Sequence, residues 1–433
     1  MNSDTNHLVQ AVAHWSTALQ SMVLLSAVLL TSCSSSDFDP AGTWKAERSV
    51  EGAVTVVRTI SGSVWQDQAE LVEELAIGRS EGDPRYVLGN VRSLWYTGDR
   101  IYILDQAIPA LRVYADDGRH LFDMGRMGNG PGEFREPRSL AVDPVSGRIF
   151  VRDGSVGRLN IYSPNGDPLE HWPVRGGFGT GRQLVMTSEG YLYTLVLISY
   201  DADPLKWRYG MARCTPTDAV LDTIPVPVFD FEPWRLTASH EGRSGWIPVP
   251  FSPQIVYALT PGRRMVAGVS DRYRFDIRDP DGSILRIERP SSRVPIEPEE
   301  ADWYERWATA SRTRVQPGWV WNGPPIPRYK PAFEAFTGDT VGRIWVLRPG
   351  PGRILDNGVE DSPDPSVMYD NPRWRDQYFF DVFDARGAFL GSLSIPDDCQ
   401  FFPPPFIGAQ TLLVYTEDVS GTPIVKRYRL VLH

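Results

Sequence analysis

The chain has 433 residues, a formal net charge of −10, and 42% hydrophobic against 23% charged side chains. That length allows two or three domains with a large core, and the acidic balance, which repels phosphate backbones, excludes nucleic acid as the expected partner. Its 38 Gly and 37 Pro are too many for a helical protein and suit numerous strands joined by turns.

The chain opens on an address. Met22–Leu30 is a mostly apolar run of nine residues, too short to span a bilayer but of the right length for the apolar region of a signal peptide. Leu30-Thr31-Ser32-Cys33 follows, an aliphatic residue and two small ones before a cysteine. This resembles the bacterial lipobox, which implies cleavage before Cys33, lipidation of that residue and anchoring to a membrane surface without a spanning helix. The 21 residues before Met22 lack the Lys or Arg usual in such leaders. Residues 1–32 are therefore expected to be a signal peptide and 33–50 a tether, with Ser34 after the cysteine favouring the outer membrane. The two remaining cysteines, Cys214 and Cys399, are expected as separate buried thiols rather than a disulfide.

Residues 51–433 are expected to form a single propeller. Arg100-Ile101-Tyr102-Ile103-Leu104-Asp105 and Arg148-Ile149-Phe150-Val151-Arg152-Asp153 repeat each other, as do Leu111-Arg112-Val113-Tyr114 and Leu159-Asn160-Ile161-Tyr162 at the same offset. Each pair of strands, b then c, ends in a turn carrying Gly118 or Gly166, where a tight hairpin needs positive φ. The c-strand pattern returns at Phe275–Arg278 and Phe380–Phe383, each followed by a turn glycine, Gly282 and Gly387. Strand b recurs near residues 101, 149, 191, 265, 344 and 412. Repeats of this kind must be recognised before any local reading, and six units of four antiparallel strands predict an all-β, six-bladed propeller. Val54–Ile60 is a spare strand, expected to supply the outermost strand of the last blade and close the ring, which removes an exposed edge. Asp105 and Asp153 end strand b in both blades; their recurrence predicts a structural task, bonding backbone N–H groups of the b–c loop.

Gly128-Asn129-Gly130-Pro131-Gly132-Glu133-Phe134, then Pro137, Leu140-Ala141-Val142-Asp143 and Gly147-Arg148-Ile149-Phe150-Val151 resemble the NHL repeat. Over residues 90–175 the chain is similar to bacterial lipoproteins with six-bladed propellers of the NHL or TolB-like kind. The resemblance implies the fold and a binding role; it carries no catalytic residues, and Arg152 departs from the small residue usual at its position.

Long insertions fall near 197–208, 227–250, 290–333 and 348–376, all in connections that open on one face of a propeller. Function concentrates on loops held by a rigid scaffold. These insertions hold eight of the 14 Trp, and Trp234, Trp246, Trp303, Trp307 and Trp321 are the candidate ligand-binding residues, suited to stacking on sugar rings or gripping a peptide. Packing of the insertions onto the propeller is the better account of most of them, and one or two exposed Trp suffice for a site. Glu297–Arg312 predicts a short helix, with Pro298 at its start, Glu299, Glu300 and Asp302 in its first turn, and Trp303 and Trp307 one turn apart.

Catalytic signatures are missing from the sequence. His120, His171, His240 and His433 show no zinc spacing, and Gly242-Arg243-Ser244-Gly245 lacks the second half of a nucleophile elbow. Gly176–Gly181 has no phosphate-loop lysine and reads as a turn between blades. Asp361 and Asp364 offer carboxylates to Ca²⁺ but suit a solvated loop as well. The expected function is a cell-envelope lipoprotein whose propeller binds a glycan, a peptide or an envelope protein, with no cofactor. The alternatives are a Ca²⁺-dependent hydrolase of the gluconolactonase or paraoxonase type and a structural subunit of an envelope complex.

Overall fold

The computed structural model describes residues 35–38 and 43–433, apart from 67, 109, 155–156, 175–183, 202, 204–205, 218–221, 356–373 and 419. Cys33, the Gly176–Gly181 turn and the Asp361–Asp364 loop lie outside the described residues.

Six blades follow one another along the chain: four are four-stranded sheets, the fourth blade lies within a seven-stranded sheet and the sixth is a five-stranded one. Blade one is built from Val91–Tyr96, Arg100–Asp105, Ala110–Ala115 and His120–Met124. Blade two uses Pro137–Val142, Ile149–Asp153, Arg158–Tyr162 and Pro168–Pro173. The predicted b-strands are all present, the later ones being Leu192–Ser199, Met265–Val269, Ile344–Ile354 and Thr411–Glu417. Gly118, Gly166, Gly282 and Gly387 adopt φ between 82° and 93°, as their hairpins require.

Burial falls from the inner to the outer strands. Ile149–Asp153 is buried throughout, whereas Pro168–Pro173 at the edge of the same blade is almost wholly exposed. A strand covered on both faces has no need of alternation, so Ile-Phe-Val reads as a continuous apolar run. Cores lie between blades. Phe275 and Ile277 of blade four meet Phe336, Val346 and Phe383 of blade five. Leu413 and Val425 of the last blade meet Ile101, Ile103 and Tyr114 of the first.

The N-terminal expectation needs correction. Val54–Ser61 does not reach the last blade; it pairs in parallel with Ile284–Glu288, so blade four is extended outward through Val54–Ser61, Lys45–Glu51 and Ser35–Phe38. The outermost strand of blade six is Ala69–Ile77, antiparallel to Pro423–Leu432 over its whole length. Val57, Ala46 and Trp44 are buried against the blade-four core, which explains why the first segment stays there.

Asp105 and Asp153 have the structural task expected, at a slightly different place. Asp105 accepts hydrogen bonds from the backbone N–H of Gly89 and Asn90 at 2.8 and 2.9 Å, and from Ala107 in the b–c loop at 3.1 Å. Asp153 accepts from Arg135 and Glu136 at 2.7 and 3.1 Å. Both carboxylates therefore brace the entry of the innermost strand, and Asp105 also holds its b–c loop. Cys214 and Cys399 are not joined in a disulfide, and burial pushes the Cys399 thiol up to about 12.

Candidate functional site

The insertions fold into a helix and a hairpin. Helix α1 (Pro298–Thr313) starts on Pro298 with Glu299 and Glu300 in its first turn, favourable for an N-terminal dipole. The hairpin pairs Arg235–His240 with Arg243–Pro248. Leu236 and Ala238 of the hairpin, Ala308 of α1 and Trp319 share a small core, with Trp234, Trp307 and Trp321 packed against it. The hairpin edge is covered by the segment after α1: Trp319 donates through Nε1 to the Thr237 carbonyl at 2.7 Å, and Asn322 bonds both polar backbone groups of Thr237. On its other side α1 places Trp303 against Trp374.

This arrangement sorts the five candidate tryptophans. Trp303 is buried, Trp307 is half-buried between the two small cores, and Trp321 is tied by Nε1 to the carbonyls of Gly323 and Pro324. Trp246 stands exposed on the hairpin. Trp234 lines a recess of about 610 Å³ over blades four and five, a volume within the range of small-molecule sites. The five do not converge on one surface.

The recess is lined by connections of the face chosen from the sequence: the segment entering blade four, the b–c turn after Val269, the connection between blades four and five, and the outer part of Ile344–Ile354. Its floor is polar. Asp381, fully buried in blade five, accepts from Arg289 Nη1 and from Ser392 Oγ, the latter at 2.5 Å. Arg348 Nε lies 3.4 Å from the same carboxylate but makes no hydrogen bond. The Arg289 guanidinium also stacks 3.8 Å from the Phe389 ring centroid. Beside them the Tyr273 hydroxyl is buried next to the Asp381 carboxylate, and burial, followed by the Asp381 charge, pushes its ionisation far above the usual tyrosine range.

A second cluster fixes α1 to the blades. Lys330 Nζ, fully buried, lies 2.7 Å from Glu300 Oε1 and bonds Asp376 as well. It also stands 5.2 Å from the ring of Phe251, which is T-stacked on Tyr304 of α1. Burial raises the Glu300 pKa, and Lys330 opposes that shift. Gly352 makes the approach possible: a Cβ there would come within 2.3 Å of Glu300 Oε1. Phe251 itself holds φ +58°, a strained conformation for a bulky residue that persists only where its surroundings over-determine it.

Glu334 sits where the chain enters the innermost strand of blade five. Its carboxyl touches water yet is walled by protein, and accepts from the Tyr378 hydroxyl at 3.0 Å. Burial first, and the Asp376 charge second, raise its pKa from 4.5 to about 7. A carboxyl raised on folding holds its proton more tightly in the folded state, so stability falls as pH rises from 4.5 through about 7. Glu334→Gln is expected to flatten that part of a melting-temperature profile; an unchanged slope would assign it to other groups. Among the described residues, no three or more His, Cys, Asp or Glu are grouped to hold a metal ion.

Arg289, Arg348, Asp381 and Tyr273 were not singled out from sequence, although a signal existed. Aligned on strand b, Arg348 occupies the position of Asp105 and Asp153; aligned on strand c, Asp381 occupies that of Arg112 and Asn160. Blade five thus exchanges the acid and the base of blade one.

A family match over part of the chain agrees with the architecture. Residues 81–171 match the family described as "6-bladed beta-propeller", DUF5128. A member of the DUF4221 family from Bacteroides vulgatus is 12% identical, covering 85% of this chain and 100% of its own, with a TM-score of 0.45. A protein of unknown function from Bacteroides thetaiotaomicron is 9% identical, covering 90% of this chain and 82% of its own, at 0.40. The virginiamycin B lyase of Staphylococcus aureus is 9% identical, covering 84% of this chain and 100% of its own, at 0.36. No curated protein matches the chain.

Proposed function

We propose that this chain is a cell-envelope lipoprotein whose propeller binds a small ligand, or a short stretch of a larger one, in the recess over blades four and five. One observation carries the reading. A strained Phe251 and Trp234, at the two ends of the segment that carries the extra hairpin, line one recess, and the long α-helix is tied through Glu300 to Lys330 in its lining. Function concentrates on such elaborations of a rigid scaffold, and concave recesses of this size are where small ligands bind.

Trp234 supplies an aromatic wall of that recess while its other face packs on the hairpin core. Trp234→Ala is expected to weaken binding of the ligand recovered from a glycan and peptide array by at least about tenfold, the usual cost of losing a buried aromatic contact. Trp246→Ala, on the exposed hairpin, should change it by less than about twofold. Equal effects at both positions would move the site out of the recess.

The membrane anchor has its own test. If Cys33 is acylated, Cys33→Ala leaves an uncleaved or soluble species in place of the membrane-bound one, read by fractionation and by intact mass. An unaltered distribution would remove the lipoprotein half of the proposal and leave the recess untouched.

A further inference from the structure

Resting on the recess as the binding site, the geometry points to a ligand that carries an oxyanion, which we propose is seated on Arg348 and the Tyr273 hydroxyl, with Arg289 behind them. The first argument is charge. Five guanidinium groups border the recess, those of Arg272, Arg289, Arg293, Arg328 and Arg348. Only Asp271 and Asp381 face them: Asp271 lies 3.4 Å from Arg272, and Asp381 serves both Arg289 and Arg348. Arg293 and Arg328 form no ion pair with any described residue, and both are exposed at the rim. This excess of cations stands in a protein of net charge −10, so it is a local feature and concentrates anions at this mouth.

The second argument is hydrogen-bonding demand. Tyr273 is only 5% exposed, and its hydroxyl and the buried Arg348 Nε share one internal acceptor, the Asp381 carboxylate, which already receives Arg289 and Ser392. Buried polar atoms are usually satisfied in native proteins, and both residues line the recess, so an acceptor carried by a ligand would relieve the demand on Asp381. A carboxylate, sulfate or phosphate oxygen is the acceptor that also answers the charge.

The third argument comes from the repeat. In blades one and two the residue ending strand b is an aspartate that bonds the chain's own backbone. In blade five the aligned residue is Arg348, within a longer strand; it cannot accept those bonds and lines the recess instead. The anion seats at this end rather than beside Lys330, whose charge is taken up by Glu300 and Asp376, with Glu334 nearby.

The test is thermal unfolding of the full-length protein with citrate, phosphate, sulfate and chloride at matched ionic strength and neutral pH. Sulfate and phosphate stabilise proteins in general by exclusion from their surface, so the reading is the difference between wild type and variants. An oxyanion is expected to raise the wild-type melting temperature in a saturable way, with affinity at least about tenfold weaker in Arg348→Leu and unchanged in Arg278→Leu, an exposed arginine of blade four. Tyr273→Phe keeps the packing, removes only the hydroxyl and should weaken affinity several-fold; it decides the matter if Arg348→Leu does not fold. Citrate acting at the lowest concentration identifies a carboxylate ligand, phosphate or sulfate a tetrahedral one. Saturable shifts that are absent, or equal in Arg348→Leu, Tyr273→Phe and wild type, overturn the oxyanion seat. Loss in Trp234→Ala with retention in both of those variants overturns the seat while preserving the recess as the binding site; retention in all three removes both.

Discussion

A chain that begins at residue 79 is expected to show no cooperative unfolding transition, whereas one that begins at Ser63 keeps a transition at lower temperature. The difference lies in Ala69–Ile77. Without it Pro423–Leu432 becomes a ten-residue open edge, the kind of edge that invites aggregation. Ile77, 2% exposed, also joins Val425 and Leu413 to Ile101 and Ile103 of blade one, so the seam between the last blade and the first goes with it. Removing only the segment before Ser63 strips Val54–Ser61 from the outer edge of blade four and leaves that blade its own four strands. Within the intact chain, Ile77→Ala should cost about 2–5 kcal/mol, the range for truncating a buried aliphatic side chain. Val50→Ala, 73% exposed on the blade-four extension, should cost less than about 0.5 kcal/mol. Denaturant titration of the two truncations and two point variants checks all four. Cooperative unfolding of the shorter chain would show that the blades need no N-terminal strand.

The sequence showed where the blades are because both faces of each b-strand are covered, and a run such as Ile101–Leu104 leaves little room for another reading. It misled at the closing strand for an equally physical reason. Val54–Ser61 is β-branched and looks like a strand. Ala-Glu-Leu-Val-Glu-Glu-Leu-Ala-Ile, residues 69–77, is composed mainly of good helix formers. Pairing with Pro423–Leu432 overrides that propensity, and such a partner more than 340 positions away leaves no local trace. The elaborated face was legible, because turn length alone shows which connections are long. The tryptophans on it were not: the same side chain fills a small core at Trp319 and stands in water at Trp246. The cationic floor was legible only as a broken repeat, the aspartate of blades one and two turned into Arg348, and recognising it required comparing a distant blade residue by residue.

Lys330→Met is expected to destabilise the protein by about 3–5 kcal/mol at pH 7, the cost of removing one partner from a buried ion cluster. Methionine nearly matches the volume of the lysine stem, so packing changes little and the effect is electrostatic. Glu300 and Asp376 would then face each other with 0% and 7% side-chain exposure and no cation between them. One Glu300 oxygen already lacks a hydrogen-bond partner in the wild type, and the position of Gly352 leaves no room for a side chain to supply one. The folded variant relieves the repulsion by taking up a proton, so its carboxyl pair titrates above the unfolded values, and its stability deficit shrinks as pH falls from 7 toward about 5. Replacing Glu300 and Asp376 by Gln and Asn together with Lys330→Met should recover much of the loss without acid, since no uncompensated buried charge remains. Melting curves of the single and triple variants at both pH values separate the possibilities. A deficit independent of pH would mean that Lys330 serves α1 by packing alone. A deficit that vanishes in acid would identify the Glu300–Lys330–Asp376 cluster as the electrostatic tie holding the helix to the blades beside Phe251, whose ring stacks on Tyr304 of the helix.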